Sequence, residues 1–239
     1  MGFIGLHTAK ALLDAGEDVV LTRFRRTRMP GFLSPHVDKR LFVETVDVLN
    51  GEALIEAGRK HSVSGIIHLA SPPMHGPLAE GLRQNVQGLL NVLEAGSTLG
   101  VKRVLLPSSI AIYAGVDAAL WREDAPLPIA SPYPMTAYKK VFEKDTAEAL
   151  AGLQLAPVLN HSIYNIGGGK SLSNREVADA VQKAVPDAKI ELQPGRSSQP
   201  QYPALDISRL KEDIGWTPRY TIDSGIAEYV AWLKAGNPQ

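Results

Sequence analysis

The stretch MGFIGLHTAKALLDAGEDVVLTRFRR, residues 1–26, decides how the chain is read. Ile4, Ala9, Leu12 and Leu13 recur at helical spacing and Gly16 supplies a stop, so residues 3–15 are predicted to form a helix. EDVVLTRF follows as a β-type run. Gly2 and Gly5 at a helix start, with a strand next, have the spacing of the last two glycines of a dinucleotide loop. There the backbone of Gly2, Phe3, Ile4 and Gly5 would approach a pyrophosphate held at the helix N-terminus. A flexible N-terminus is the rival reading of the two glycines. Roughly 20 residues past the last glycine, such folds place the residue that meets the adenosine ribose. Arg23 stands there, followed by Arg25, Arg26 and Arg28. An acidic residue would bind the 2′-hydroxyl of NAD, whereas a guanidinium pairs with the 2′-phosphate of NADP. Arg23 and Arg26 therefore point to NADP, against the plainer reading of a solvated basic turn.

Working outward, RLFVETVDV reads as a second strand, Glu52 to Arg59 as a short helix and SGIIHLAS as a buried strand. LAEGLRQNVQGLLNVLEAGSTLG is a long helix ended by Gly96 or Gly100, and VKRVLLPSS follows it. Strands alternating with helices at this rhythm predict βαβ units, that is, a doubly wound parallel sheet with helices on both faces. After SPYPMTAYKKVFEKDTAEALAGLQL, itself helical in pattern, the register changes. HSIYNIGGG is expected as a short strand with a glycine turn and AKIELQP as another strand. SNREVADAVQKAV is a helix opened by a Ser173/Glu176 capping box, DISRLKEDIG a short helix, and SGIAEYVAWLKAG a terminal amphipathic helix with Ile226, Val230 and Leu233 on one side. The sequence thus divides into residues 1–144, doubly wound, and a small α+β lobe at 145–239.

Composition sets bounds on partners. The chain has 239 residues, 44% apolar and 21% charged, as expected of a soluble globular protein. Lys plus Arg equals Asp plus Glu at 25 each, so no overall field draws in nucleic acid or an anionic membrane. There is no cysteine, which excludes disulfides, thiolate metal sites and a thiol nucleophile and fits a reducing cytoplasm. No His/Asp/Glu cluster has metal-site spacing, and His68 reads as a packed strand-end residue.

In order along the chain, GFIG, VDV (46–48), IIHLAS (66–71), NVQGLLNVLEAG (85–96), VKRVLLPSS with Tyr113 four residues after Ser109, YNIGGG (164–169) and LKEDIGWTPRYTIDSGI resemble the extended short-chain dehydrogenase/reductases. Within these they resemble the NAD-dependent epimerase/dehydratases, proteins with a Rossmann-type cofactor domain. The resemblance implies that Asp47 accepts from the adenine amino group with Val48 beside the ring. It also implies that Leu69, Ala70 and Ser71 line the cofactor behind a strand, and that Asn85 sits near the ribose. Asp47 as a plain strand end and Asn85 as an exposed helix residue are the bland alternatives. Family members often pair through two long helices, here 78–96 and 134–155, which makes a homodimer an open expectation.

The resemblance further implies that a Ser orients the substrate oxygen, a Tyr removes its proton and a Lys four residues later lowers that tyrosine's pKa. A free phenol has a pKa of about 10, so acting near pH 7 takes about 4 kcal/mol of differential electrostatics. Ser109 matches the serine. The pair departs from pattern: four residues after Tyr133 stands Ala137, and four after Tyr138 stands Phe142. Tyr133, 24 residues beyond Ser109, is the expected base, with Lys139 its partner if the local backbone absorbs two extra residues. Tyr138, adjacent to Lys139, would point about 100° away around a regular helix.

Two further departures are expected. Several dozen residues of the family pattern are missing at about Lys144/Asp145, where relatives hold the nucleotide of a sugar nucleotide, and helix would continue across the join. The first glycine and first strand of the loop are also missing ahead of Met1. A buried strand contributes about four aliphatic side chains at about 1.5 to 3 kcal/mol each. That is comparable with a domain's whole stability of about 5 to 15 kcal/mol. The expectation is a start site placed too late or a truncated relative. The implied function is NAD(P)-dependent oxidation or epimerisation of a sugar hydroxyl, on a nucleotide sugar. A carbonyl reductase of the same superfamily and a catalytically silent NADP-binding protein are the alternatives. Arg196, in PGR, is a candidate diphosphate contact or a plain turn residue.

Overall fold

A computed structural model describes residues 2–25, 29–71, 78–113, 116–125, 143–192 and 203–235. The chain forms two compact units, Met1–Pro107 and Ser108–Gln239.

In the N-terminal unit, α1 (Phe3–Asp14) leads into β1 (Val19–Arg23), β2 (Leu41–Thr45), α2 (Gly51–Lys60), β3 (Gly65–Ile67), α3 (Leu78–Leu99) and β4 (Arg103–Leu105). β1 and β2 pair in parallel with Val19 opposite Leu41 and Arg23 opposite Thr45, and β3 and β4 pair in parallel with Gly65 opposite Arg103. Among the described residues these are two separate two-stranded sheets. Helices between parallel strands make this an α/β fold, as the alternating pattern predicts. The apolar spacing of α1 places Leu6, Ala9 and Leu13 in one core with Val19, Leu33 and Leu41. Each of the leucines and Val19 stabilises the fold by about 1.5 to 3 kcal/mol on leaving water, Ala9 by less.

Glycines set the fit of α3. Gly100 adopts φ +63° and ends the helix, with the Val101 N–H donating to the Gly96 carbonyl at 3.1 Å. A Cβ on Gly96 would lie 2.8 Å from Val104 Cγ2, so α3 approaches β4 more closely than any other residue type would permit.

The C-terminal unit holds a 3-10 turn (Ile110–Tyr113), β5 (Leu120–Trp121), α4 (Glu143–Leu155), α5 (Asn174–Ala184), β6 (Ala204–Leu205), α6 (Ser208–Ile214) and α7 (Ile222–Lys234). α4 begins at Glu143 and includes Lys144 and Asp145; the stretch before it, 126–142, lies outside the described residues. The predicted capping box is present: Ser173 Oγ accepts from the Glu176 N–H at 3.2 Å, and Glu176 Oε2 accepts from the Ser173 N–H at 2.7 Å. α5 packs on α7, and Lys183 reaches Asp223 at 3.1 Å beside that contact.

Three details differ from the sequence pattern. First, 161–169 is not a strand, because its neighbourhood spends backbone donors on side chains. The N–H groups of Asn160, His161 and Asn165 donate to Asp213 Oδ2, Tyr164 Oη and Glu123 Oε1 at 2.7, 3.0 and 2.8 Å. Second, the described part of the AKIELQP run, residues 188–192, carries no strand. Third, β5 pairs in parallel with β6, Leu120 opposite Ala204, which ties residues after Ser108 to the end of the chain. The two units accordingly divide at Pro107/Ser108, ahead of the 144/145 position expected from the pattern.

Candidate functional site

The described residues expected on the cofactor side lie in the N-terminal unit: Gly2, Phe3, Ile4 and Gly5 at the start of α1, Arg23, Asp47, Val48, Leu69, Ala70 and Ser71 at or after strand ends, and Asn85 on α3. Gly2 is the N-cap of α1, extended at φ −99° and ψ 165°, and as a glycine it makes no side-chain cap bond. Any residue adopts that backbone, and among the described residues a Cβ on Gly2 would meet nothing within 4 Å, so the space before the helix is open. The amides of a first helical turn have no intrahelical acceptor and carry the positive end of the helix dipole. A Cβ on Gly5 would lie 3.9 Å from Leu69 Cδ1, which brings the opening loop to the end of β3. An open, uncapped start facing that strand end fits a pyrophosphate.

The other predicted residues join into the same frame. Asp47 Oδ1 accepts from the Leu49 N–H at 3.0 Å, and the Asp47 carbonyl accepts from the Asn50 N–H at 2.9 Å, making a tight turn between β2 and α2. Asn50 then caps α2 by accepting from the Ala53 N–H at 3.1 Å. Ser71 Oγ donates to Asn85 Oδ1 at 2.7 Å, and Asn85 Nδ2 donates to the Gly81 carbonyl at 2.8 Å. The loop after β3 is thereby fastened to α3 by two of the predicted residues. Ala70, next to Ser71, stands exposed.

Two residues in this frame were not singled out in the sequence. Asn91, 7% exposed, donates through Nδ2 to the Val48 carbonyl at 2.9 Å and accepts from Gln87 Nε2 at 2.8 Å. Three residues earlier on the helix, a Cβ on Gly88 would lie 3.2 Å from Val48 Cγ1. Together they hold the Asp47–Val48 turn against α3. The available signal was an asparagine inside the apolar run GLLNVL, since a buried amide needs partners.

Arg23 ends β1, and its Nε donates to Thr45 Oγ1 at 3.3 Å, so the guanidinium leans along β2. Arg25 lies over the exposed Phe24 ring at 5.3 Å. Arg26 and Arg28 lie outside the described residues. His68 extends the β3–β4 ladder by donating its N–H to the Leu105 carbonyl at 3.0 Å, and burial holds its imidazole pKa below the ordinary value.

In the C-terminal unit, the Ser109 carbonyl accepts from the Ile112 N–H at 3.1 Å and so opens the 3-10 turn that ends at Tyr113. Tyr113 is 3% exposed and stacks on Trp121 with ring centroids 5.4 Å apart. Burial raises its phenol pKa, and its hydroxyl donates to Asn165 Oδ1 at 2.8 Å. Tyr133, Lys139 and Arg196 lie outside the described residues.

Residues 1–189 match the profile of the NAD dependent epimerase/dehydratase family. The chain belongs to this family. The UDP-glucuronate 4-epimerase of Thermodesulfobacterium geofontis is 23% identical over 312 aligned positions, covering 98% of this chain and 94% of the relative. That aligned span exceeds the 239 residues of the chain, so this relative carries internal residues that the chain lacks. The UDP-glucose 4-epimerase of Lacticaseibacillus casei is 29% identical over 55% of the chain and 40% of its own length. In fold, the chain is similar to the crystal structure of UDP-glucose 4-epimerase from Bifidobacterium longum in complex with NAD+ and UDP. That comparison gives a TM-score of 0.76 at 17% identity, over 99% of this chain and 97% of the other. Family and architecture thus agree on a Rossmann-type α/β protein. Among the described residues no helix is long and apolar enough to cross a membrane.

Proposed function

We propose that this protein binds a pyridine dinucleotide through its N-terminal unit and acts on a sugar hydroxyl of a nucleotide sugar, in the manner of an epimerase or dehydratase. The observation that carries the reading is the frame just described. An uncapped, open helix start meets Leu69, the Asp47–Val48 turn is held to α3 by Asn91, and Ser71 is bonded to Asn85. Gly2, Phe3, Ile4 and Gly5 would hold the pyrophosphate, Asp47 and Val48 the adenine, and Leu69, Ala70, Ser71 and Asn85 the ribose side. The dinucleotide, when bound, supplies hydride acceptance and return. Ser109 would orient the sugar oxygen, and Tyr133, with Lys139 as its partner, would take the hydroxyl proton. Binding is tested by calorimetric titration with NAD and NADP, and turnover by product analysis on a panel of UDP- and dTDP-sugars. Absence of saturable binding of either dinucleotide overturns the proposal.

The finer cofactor choice follows from charge. Arg23 at the tip of β1, with Arg26 after it, favours the 2′-phosphate of NADP, because a guanidinium fork pairs with phosphate oxygens. Tighter binding of NADP than of NAD, lost on Arg23→Ser, is the expected result; equal or tighter NAD binding refutes the preference. A homodimer is supported by α3, where Val86, Leu90 and Leu93 stand 47%, 54% and 42% exposed at i, i+4, i+7 spacing. Sedimentation at micromolar concentration tests it. A cytoplasmic location accords with the cysteine-free composition.

The displaced Tyr133/Lys139 spacing favours a second reading, a cofactor-binding protein without catalysis. Dinucleotide binding with no turnover on sugar nucleotides or small carbonyl compounds would select it. NADPH consumption with small aldehydes or ketones would select a carbonyl reductase instead.

A further inference from the structure

The C-terminal unit contains a buried polar knot that the cofactor chemistry does not use. Asn165 is 6% exposed and every polar group of its side chain is engaged. Oδ1 accepts from the Tyr113 hydroxyl at 2.8 Å, and Nδ2 donates to the Trp121 carbonyl at 3.1 Å. Its backbone N–H donates to Glu123 Oε1 at 2.8 Å, and the Glu123 side chain, 3% exposed, meets Arg209 Nε at 3.6 Å. The Trp121 ring stacks on Tyr113 at an interplanar angle of 17°, and its Nε1 donates to the Val116 carbonyl at 3.2 Å. The partners come from sequence positions 52 and 44 residues away, so the knot closes long loops onto one amide. Such an assembly is costly to leave half made, because each orphaned buried group keeps its full desolvation penalty.

One end of this knot reaches a predicted catalytic residue. Ser109 opens a hydrogen-bonded turn, Ile112 N–H to Ser109 carbonyl, that Tyr113 directly follows, with the Val116 N–H donating back to the Tyr113 carbonyl at 2.9 Å. On that turn Ile110 and Ile112 stand 39% exposed, whereas Tyr113 is buried and hydrogen-bonded to Asn165, which makes it an anchor of the turn.

We propose that Tyr113 and Asn165 act as positioning residues: their buried hydrogen bond fixes the turn that carries Ser109, and so sets where the Ser109 hydroxyl meets the substrate oxygen. The catalytic part rests on the role given to Ser109 above; the structural part stands without it. The YNIGGG segment then has a task beyond a glycine turn, since Asn165 is the acceptor that holds the serine loop in place.

Tyr113→Phe tests this, because it keeps the ring on Trp121 and removes only the donor. Hydrogen exchange of the Ile112 amide is expected to speed up about tenfold, the size of one net buried hydrogen bond, while amides of α5 and α7 keep wild-type protection. Unchanged Ile112 exchange overturns the proposal whatever the activity shows. With a nucleotide sugar that is turned over, kcat is expected to fall about tenfold with KM and dinucleotide affinity within twofold. In the Ser109→Ala background the same substitution is expected to have no further effect. A full additional loss in that background overturns action through Ser109. If Ser109→Ala alone leaves turnover intact, the role of Ser109 fails, while Ile112 exchange still decides whether the clasp holds the turn.

Discussion

The two units solve the same problem by different means. The N-terminal unit is organised by apolar periodicity: Leu6, Ala9 and Leu13 of α1 meet Val19 of β1 and Leu41 of β2 in one core. Its polar bonds, such as Asn91 to the Val48 carbonyl, tune loops on a frame already built. In the described part of the C-terminal unit the strands are only two residues long, and side chains take over what a ladder does elsewhere. Asn165, Tyr164 and Asp213 bind backbone groups or one another across dozens of residues. A frame built on area tolerates polar change at its loops, whereas a frame built on hydrogen bonds is vulnerable at single atoms.

That contrast can be broken or sharpened by substitution. The largest effect is expected for Leu41→Ala in the N-terminal core, where the leucine is fully buried and truncation leaves a cavity, at a cost of about 3 kcal/mol in urea unfolding. Asn165→Ala is expected next, at about 2 kcal/mol, because it orphans the buried Tyr113 hydroxyl and takes one donor from the Trp121 carbonyl, which keeps the Asp206 N–H. A cost for Asn165→Ala no greater than that of an exposed cap would remove the contrast. Ser173→Ala provides that yardstick: it removes the capping box of α5 and is expected to cost about 1 kcal/mol.

The smallest effect is a pH dependence at Asp213. Hydrogen bonds from the Tyr164 hydroxyl, and then from Asn160, hold its carboxyl at about 2 against an ordinary 3.8. A carboxyl depressed on folding stabilises the native state while ionised, so its contribution is present above pH 3.8 and is lost as pH falls towards about 2. The difference in melting temperature between wild type and Asp213→Asn is therefore expected to be constant above pH 5 and to close between pH 4 and 2. A difference that persists unchanged at pH 2 would show that Asp213 contributes nothing through its charge.

Legibility followed the same division. The first helix, the strand after it, the long helix and the Ser173/Glu176 capping box were readable, because each is written in local spacing, while the choice of Gly100 over Gly96 as the helix end came from the structure. HSIYNIGGG misled, because its β-type composition is outvoted by side chains of Asp213, Tyr164 and Glu123 that lie far away in sequence or off the strand period. β5 and β6 escaped notice because two residues carry no period. On the cofactor side, Gly5, Leu69, Ser71 and Asn85 could be named from the order of their motifs, while their meeting in pairs could not.

Local spacing by itself determined the helices, the alternation of strand and helix, and the family to which the chain belongs, because periodicity and motif order need no knowledge of distant neighbours. Only the tertiary structure decided that Asn91 holds the Asp47–Val48 turn and that Asn165 ties Tyr113 to Trp121. Those bonds depend on which buried donors and acceptors come within about 3 Å of one another. That is a property of the packed chain and leaves no repeat in the sequence.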